Sequence, residues 1–202
     1  MLQKQAVTPQ LMELLNKIMT ESLFSNFYLV GGTALALQLG HRNSIDIDMF
    51  GKASIDSGLF LDKLSEFGKV KIIQNSKNIL VLKVNNVKVD FVNYNYPMLS
   101  EYLFEDNIRM YSKIDIATMK LNAIAGRGSK KDFIDLYFLL KEFSLEKMLS
   151  FYKKKYDDGS VFLVLKSLTY FEDADIQQQP KMYVDFDWHH CKKTIIDQIK
   201  TL

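Results

Sequence analysis

One stretch near the N-terminus constrains this chain more than any other: FYLVGGTALALQLGHRNSIDIDMF, from Phe27 to Phe50. It opens on Phe27-Tyr28-Leu29-Val30, a short apolar run that predicts a buried strand. Gly31-Gly32-Thr33 then breaks the run. Two successive glycines remove the Cβ barrier to positive φ and let backbone N–H groups approach another molecule closely. A helix over 33–39 is expected next, stopped by Gly40 as its C′ residue. Strand, Gly-Gly-Thr and helix N-terminus together suit phosphate, because unpaired amides and the helix dipole point at the same anion.

The second half of the stretch carries negative charge. In Ser44-Ile45-Asp46-Ile47-Asp48-Met49-Phe50 polar and apolar residues alternate, which predicts a strand. Side chains at i and i+2 share a face, so Asp46 and Asp48 point the same way while Ile45, Ile47 and Met49 are expected in the core. Two adjacent carboxylates resist joint ionisation unless a cation lies between them. Mg2+ takes hard oxygen ligands, commonly one or two carboxylates plus substrate phosphates. A phosphate cradle beside a carboxylate pair predicts a metal–nucleotide site.

Gly-Gly-Thr, a short helix and Asp-x-Asp on a strand, with His41-Arg42 between them, resemble the signature of the DNA-polymerase-β-like nucleotidyltransferases. More narrowly, LVGGTALALQLGHRNSIDIDMF resembles the AbiEii/AbiGii branch, the nucleotidyltransferase toxins of abortive-infection toxin–antitoxin systems. The resemblance implies that Gly31, Gly32 and Thr33 bind phosphate oxygens, with Arg42 in the nucleotide-binding set. It implies Mg2+ on Asp46 and Asp48. Many members of the superfamily carry Ser where Thr33 stands; the hydroxyl is kept and a methyl added.

Composition sets bounds on the rest. A chain of 202 residues, 48% hydrophobic and 12% aromatic, has enough apolar surface for a real core. A net charge of +2 means that any basic footprint must be local. The single Cys191 excludes an intrachain disulfide and fits a reducing compartment. No apolar run approaches the ~20 residues of a membrane span, and Met1-Leu2-Gln3-Lys4 opens no signal peptide. A soluble cytoplasmic protein is expected.

Thr8-Pro9 reads as N-cap and first position of a helix whose Leu11, Leu14, Leu15 and Ile18 face the core. A helix over 58–67 is expected after the Asp strand, then strands over 70–74, 79–84 and 87–94, with Asn85-Asn86 turning between the last two. On the third strand Lys88, Asp90 and Val92 share a face opposite Val87, Val89 and Phe91. An acid inside Val-Asp-Phe-Val is costly to bury unless paired, hydrogen-bonded or bound to metal; a capping role at a strand end is the plain alternative. By resemblance, Asp90 is the superfamily's third carboxylate, a metal ligand or the base for the incoming hydroxyl.

Beyond Pro97 the chain is expected to stay helical. Ser112 caps a helix with Ile114, Ala117, Leu121 and Ile124 as its apolar stripe, flanked by Lys120 and Arg127. Ser129 recaps, and the next helix turns Phe133, Leu136, Tyr137 and Leu140 inward and Lys131, Asp132 and Asp135 outward as a solvated charged face. MKLNAIAGRGSKKDFIDL, 119–136, resembles a second family block. That implies catalytic roles for Lys120 and Asp132, with Lys120 binding triphosphate as a point charge. Ser144 caps a further helix ending in the solvated cluster Lys153-Lys154-Lys155. The 168–188 region resembles a third block, read as a structural clasp. His189-His190-Cys191 lacks a second ligand cluster at zinc spacing and is not read as a zinc site. A last helix over 192–202 packs through Ile195, Ile196 and Ile199.

The expected fold is α/β (α+β): a small mixed sheet with packed helices over residues 1–110, and a helical C-terminal lobe over 111–202 packed on that core. The resemblance implies an Mg-dependent enzyme that transfers a nucleoside monophosphate from an NTP to an acceptor, tRNA or other RNA, as the toxin of a toxin–antitoxin pair with an antitoxin encoded nearby. Transfer to a protein or small molecule, and a non-catalytic nucleotide-binding module, are the alternatives.

Overall fold

A computed structural model describes all 202 residues, Met1–Leu202. The chain divides into two compact units, Met1–Tyr96 with Tyr102–Tyr111, and Pro97–Glu101 with Ser112–Leu202.

The first unit is built on a seven-stranded mixed sheet of β1 (Tyr28–Leu29), β2 (Asp46–Gly51), β3 (Val70–Asn75), β4 (Ile79–Val84), β5 (Val87–Asn93), β6 (Leu103–Glu105) and β7 (Ile108–Met110), in the order β3-β4-β5-β2-β1-β7-β6. β2 runs parallel to β5 and β1 parallel to β7; the other neighbours are antiparallel. The helices are α1 (Pro9–Thr20), α2 (Gly31–Leu39) and α3 (Ser57–Ser65). Thr8 Oγ1 accepts from the Leu11 N–H and Pro9 fills the first helical position of α1, as its sequence predicts. Gly40 ends α2 at φ 68°, where a Cβ would be penalised.

Alternation in β2 and β5 sorts the two sheet faces. Ile47, Met49, Val89 and Phe91 are fully buried on one side, while Asp46, Asp48, Lys88 and Asp90 stand part-exposed on the other. The closed face is sealed by Phe24, Phe27, Phe60 and Phe91, each within 6 Å of another; Phe60–Phe91 centroids lie 5.1 Å apart at 75°. Burying each ring contributes on the order of 1.5–3 kcal/mol, so Phe91 holds β5 with Asp90 turned away from the core. Ile45, expected in the core, is 62% exposed, because the strand begins one residue later at Asp46.

The β6–β7 hairpin overturns the expectation that the chain stays helical beyond Pro97. It turns on Asp106 and Asn107, both at positive φ, and lays β7 against β1. Arg109 of β7 donates to the carbonyls of Phe27, Met19 and Phe24 at 2.7, 2.8 and 2.6 Å, tying the segment that leads into β1.

The second unit contains α4 (Lys113–Gly126), α5 (Lys130–Leu139), α6 (Leu145–Lys155), α7 (Val161–Leu168), α8 (Glu172–Asp175) and α9 (Trp188–Lys200). Ser112 and Ser144 cap α4 and α6 through their hydroxyls. In α4 the buried stripe holds Ile116, Ala117, Lys120, Leu121 and Ile124, so Lys120 joins the stripe it is expected to flank and Ile114 sits at its margin. Lys155 is likewise no solvated end. It is fully buried, 2.7 Å from Asp115 Oδ1 and 2.7 Å from the Pro97 carbonyl. The 168–190 segment folds back as expected of a clasp: Asp175 accepts from Trp188 Nε1 at 2.6 Å and Lys192 at 2.8 Å, and Gln177 accepts from Lys130.

Candidate active site

The site of the first unit is assembled by β1, α2, β2 and β5. Asp48 pairs directly with Asp90 across the parallel β2–β5 ladder, and Asp46 pairs with Lys88. Register partners share a sheet face, so the three acids expected to act together lie on one side of the sheet. The Val30 N–H donates to the Asp48 carbonyl at 2.9 Å, which brings the first turn of α2 against β2. No side chain caps that helix start. Gly31 has φ 68°, and a Cβ there would lie 2.5 Å from Asp48 Oδ2. Only glycine lets the helix start and the carboxylate approach so closely. Gly32 follows, half-exposed, in the same turn.

Thr33 is placed differently from the expectation. Its side chain is fully buried, and its hydroxyl donates to the Asp46 carbonyl, leaving an oxygen lone pair for the Ser44 hydroxyl at 2.7 Å. Its hydroxyl is therefore spent on anchoring the start of the Asp strand. Arg42 is only 3% exposed and donates Nη1 to the Asn43 carbonyl at 2.8 Å, so its charge is enclosed in the α2–β2 loop.

Lys88 is a site residue that the sequence reading misses, though its i, i+2 spacing from Asp90 is a visible signal. Its ammonium sits 2.6 and 2.5 Å from the two Asp90 oxygens. Nowhere do three or more His, Cys, Asp or Glu side chains gather into a metal-binding cluster. The donor chemistry nonetheless fits a hard divalent ion: two carboxylates on one face suffice where substrate phosphates complete the shell. Asp90, held by Lys88 through both oxygens, keeps further lone pairs with which to join them.

In the second unit Lys120, Asp132 and Asp135 form a buried cluster. Lys120 Nζ lies 3.0 Å from Asp132 and 2.6 Å from Asp135, and both acids are fully buried. The outward, solvated face expected for Asp132 and Asp135 is thus an interior one, because Lys120 of α4 neutralises it across the helix pair. Arg127 adds two bonds to Asp132, at 2.8 and 3.1 Å, and the Ser129 hydroxyl donates at 2.6 Å. Burial pushes the Asp132 carboxyl up, but Lys120, Arg127 and Ser129 outweigh it and hold the group well below the usual carboxylate range. Cys191 is buried against the Phe133 carbonyl, and burial pushes its thiol up to about 12, an inert side chain.

A mixed sheet that presents Asp-x-Asp and a third acid beside a glycine-led helix start defines a nucleotidyltransferase. The chain belongs to the AbiEii nucleotidyl transferase toxin family of type IV toxin–antitoxin systems, whose model matches residues 13–199. It is 34% identical over 196 residues to the uncharacterized protein aq_aa25 of Aquifex aeolicus, covering 93% of each chain. Among solved structures, JHP933 from Helicobacter pylori matches with a TM-score of 0.60 at 17% identity, over 95% of this chain and 88% of that one. MenT4, a nucleotidyltransferase toxin from Mycobacterium tuberculosis H37Rv, matches with a TM-score of 0.58 at 14% identity, over 96% and 83%. No helix is long and apolar enough to cross a membrane.

Proposed function

We propose that the protein transfers a nucleoside monophosphate from an NTP to a hydroxyl of RNA, with tRNA the candidate acceptor, in an Mg2+-dependent reaction in the cytoplasm that arrests growth until an antitoxin encoded nearby opposes it. The observation that carries this reading is the direct pairing of Asp48 with Asp90, with Asp46 on the same face and the Gly31 helix start against Asp48.

Asp46 and Asp48 would hold the metal, with Asp90 as third carboxylate; when bound, it supplies charge neutralisation on the phosphates and acidifies the acceptor hydroxyl. The chain's own groups do the rest. Gly31 and Gly32 offer backbone N–H groups to phosphate oxygens. Asp90 accepts the acceptor's proton at a carboxylate oxygen as the acceptor oxygen bonds to the α-phosphorus. The bond from that phosphorus to the bridging oxygen breaks, and pyrophosphate leaves with the electron pair. Lys88, released from Asp90, is close enough in register to meet the departing negative charge. No step is assigned to Lys120 and Asp132, whose charges are bonded to each other inside the helical unit.

Asp46→Ala and Asp90→Asn test the proposal. Transfer of labelled nucleotide to total RNA should fall at least a hundredfold in each, with thermal melting kept or raised in Asp46→Ala, which relieves like charge, and slightly lowered in Asp90→Asn, which weakens the Lys88 ion pair. Growth arrest on expression should disappear in parallel. Undiminished transfer in both folded variants would overturn the site.

A further inference from the structure

Three lysines stand on one rung of the sheet, in line with the candidate site. Lys71 of β3 pairs with Lys83 of β4, Lys83 pairs with Lys88 of β5, and Lys88 pairs with Asp46 of β2. Direct partners share a face, so the row lies on the side that carries Asp48 and Asp90. Strands are spaced about 4.8 Å, which puts an ammonium-bearing position at each step outward from β2. Lys71 and Lys83 are exposed, and neither forms an ion pair; Lys88 is the one engaged, by Asp90.

Like charges directly opposite one another destabilise a sheet, so three in a row call for a reason. Protection of an edge strand against aggregation explains a lysine at Lys71, since β3 is the sheet edge. It does not explain Lys83, which lies on an interior strand paired on both sides. Nor does the substrate triphosphate account for the row. Lys71 stands three strand spacings, about 14 Å, from β2, away from anything seated between Asp46 and Asp48. A row of single positive charges at regular steps matches a phosphodiester backbone.

A second observation separates nucleic acid from an acidic protein. Phe50 follows Asp48 by two residues and shares its face. Its ring lies 5.1 Å from Tyr94, whose ring lies 5.1 Å from the part-exposed Tyr96. These rings lie about 13 Å along the strands from the lysine rung, on the far side of Asp48, where the terminal base of a strand lying on the row can stack.

We propose that the Lys71–Lys83 row is the acceptor track. A single-stranded nucleic acid lies across β3 and β4 with its phosphates on these two ammonium groups and its reactive end at Asp46, Asp48 and Asp90, a terminal base stacking toward Phe50. The proposal rests on the transfer reading and names where its acceptor binds.

The test uses the full chain, a fluorescent single-stranded RNA of mixed sequence and a fluorescent NTP analogue, titrated separately over a range of salt. Lys71→Ala with Lys83→Ala should weaken RNA binding about tenfold and lower the salt slope by about 1.4, two phosphates at ~0.7 each. Lys71→Arg with Lys83→Arg should restore both, and NTP affinity should not change in either. RNA affinity and slope indifferent to the two lysines overturn the track while leaving nucleotide transfer standing. Loss of NTP binding in the alanine pair, or lysine-dependent binding of a polyglutamate peptide without RNA binding, also overturns it. Lysine-dependent RNA binding with no nucleotide transfer supports the track and sinks the transfer reading instead.

Discussion

Gly31 and Asp48 are in direct apposition. The backbone at residue 31 turns through φ 68°, and the space that a Cβ would fill is taken by the Asp48 carboxylate, 2.5 Å away. The helix start and the Asp48 carboxylate are thereby set against each other by the absence of one side chain. The neighbouring Val30 N–H bond to the Asp48 carbonyl holds the same contact from the backbone side.

Gly31→Ala should therefore harm catalysis more than folding. A non-glycine residue at this φ costs about 1–3 kcal/mol, which melting would register as a modest drop. The clash falls on Asp48 itself, so nucleotide transfer should fall by at least tenfold more than the loss of folded protein accounts for. Equal transfer per folded molecule would show that Asp48 moves aside harmlessly.

Thr33 offers a test of position against contact. Thr33→Val removes the donor to the Asp46 carbonyl and the acceptor for the Ser44 hydroxyl, leaving buried polar groups unpaired at about 1–3 kcal/mol. Thr33→Ser keeps the hydroxyl and should retain most activity. If the hydroxyl touched phosphate instead, Thr33→Val would raise the KM for NTP and leave the melting temperature alone.

Asp132 predicts an acid limb in the stability of the helical unit. Burial raises its carboxyl, and the opposing pull of Lys120, Arg127 and Ser129 wins, so the folded value lies below the ordinary 3.8. A depressed acid contributes stability that is fully present above its unfolded value and is lost as pH falls toward the folded one. Denaturant titrations of the wild type against Asp132→Asn should show a constant gap above about pH 5 that narrows steadily below pH 4. A gap independent of pH over that range would mean the loss is packing, not charge. Lys120→Met, which leaves two buried acids short of a partner, should cost about 3–5 kcal/mol; its transfer activity must be read per folded molecule.

Part of this molecule is legible in its sequence, wherever the cause is local. Thr8-Pro9, Ser112 and Ser144 cap where their side chains can reach an N–H three residues on, which depends on nothing distant. Alternation around Asp46, Asp48 and Asp90 puts these acids on strand faces opposite Ile47, Met49 and Phe91, and Gly31-Gly32 marks the break before α2. Tertiary structure decided what met what. That β2 and β5 run side by side in parallel, pairing Asp48 with Asp90 and lining up Lys71, Lys83 and Lys88, is a matter of strand order across a chain interval of some forty residues. The three-residue strands β6 and β7 are too short to show a period, and only their pairing with each other, and of β7 with β1, makes them strands. Asp132, Asp135 and Lys155 look like surface charges in the sequence because burial of a charge depends on its partner. Those partners, Lys120 and Asp115, lie on other helices and are brought within 3 Å only when the helices pack.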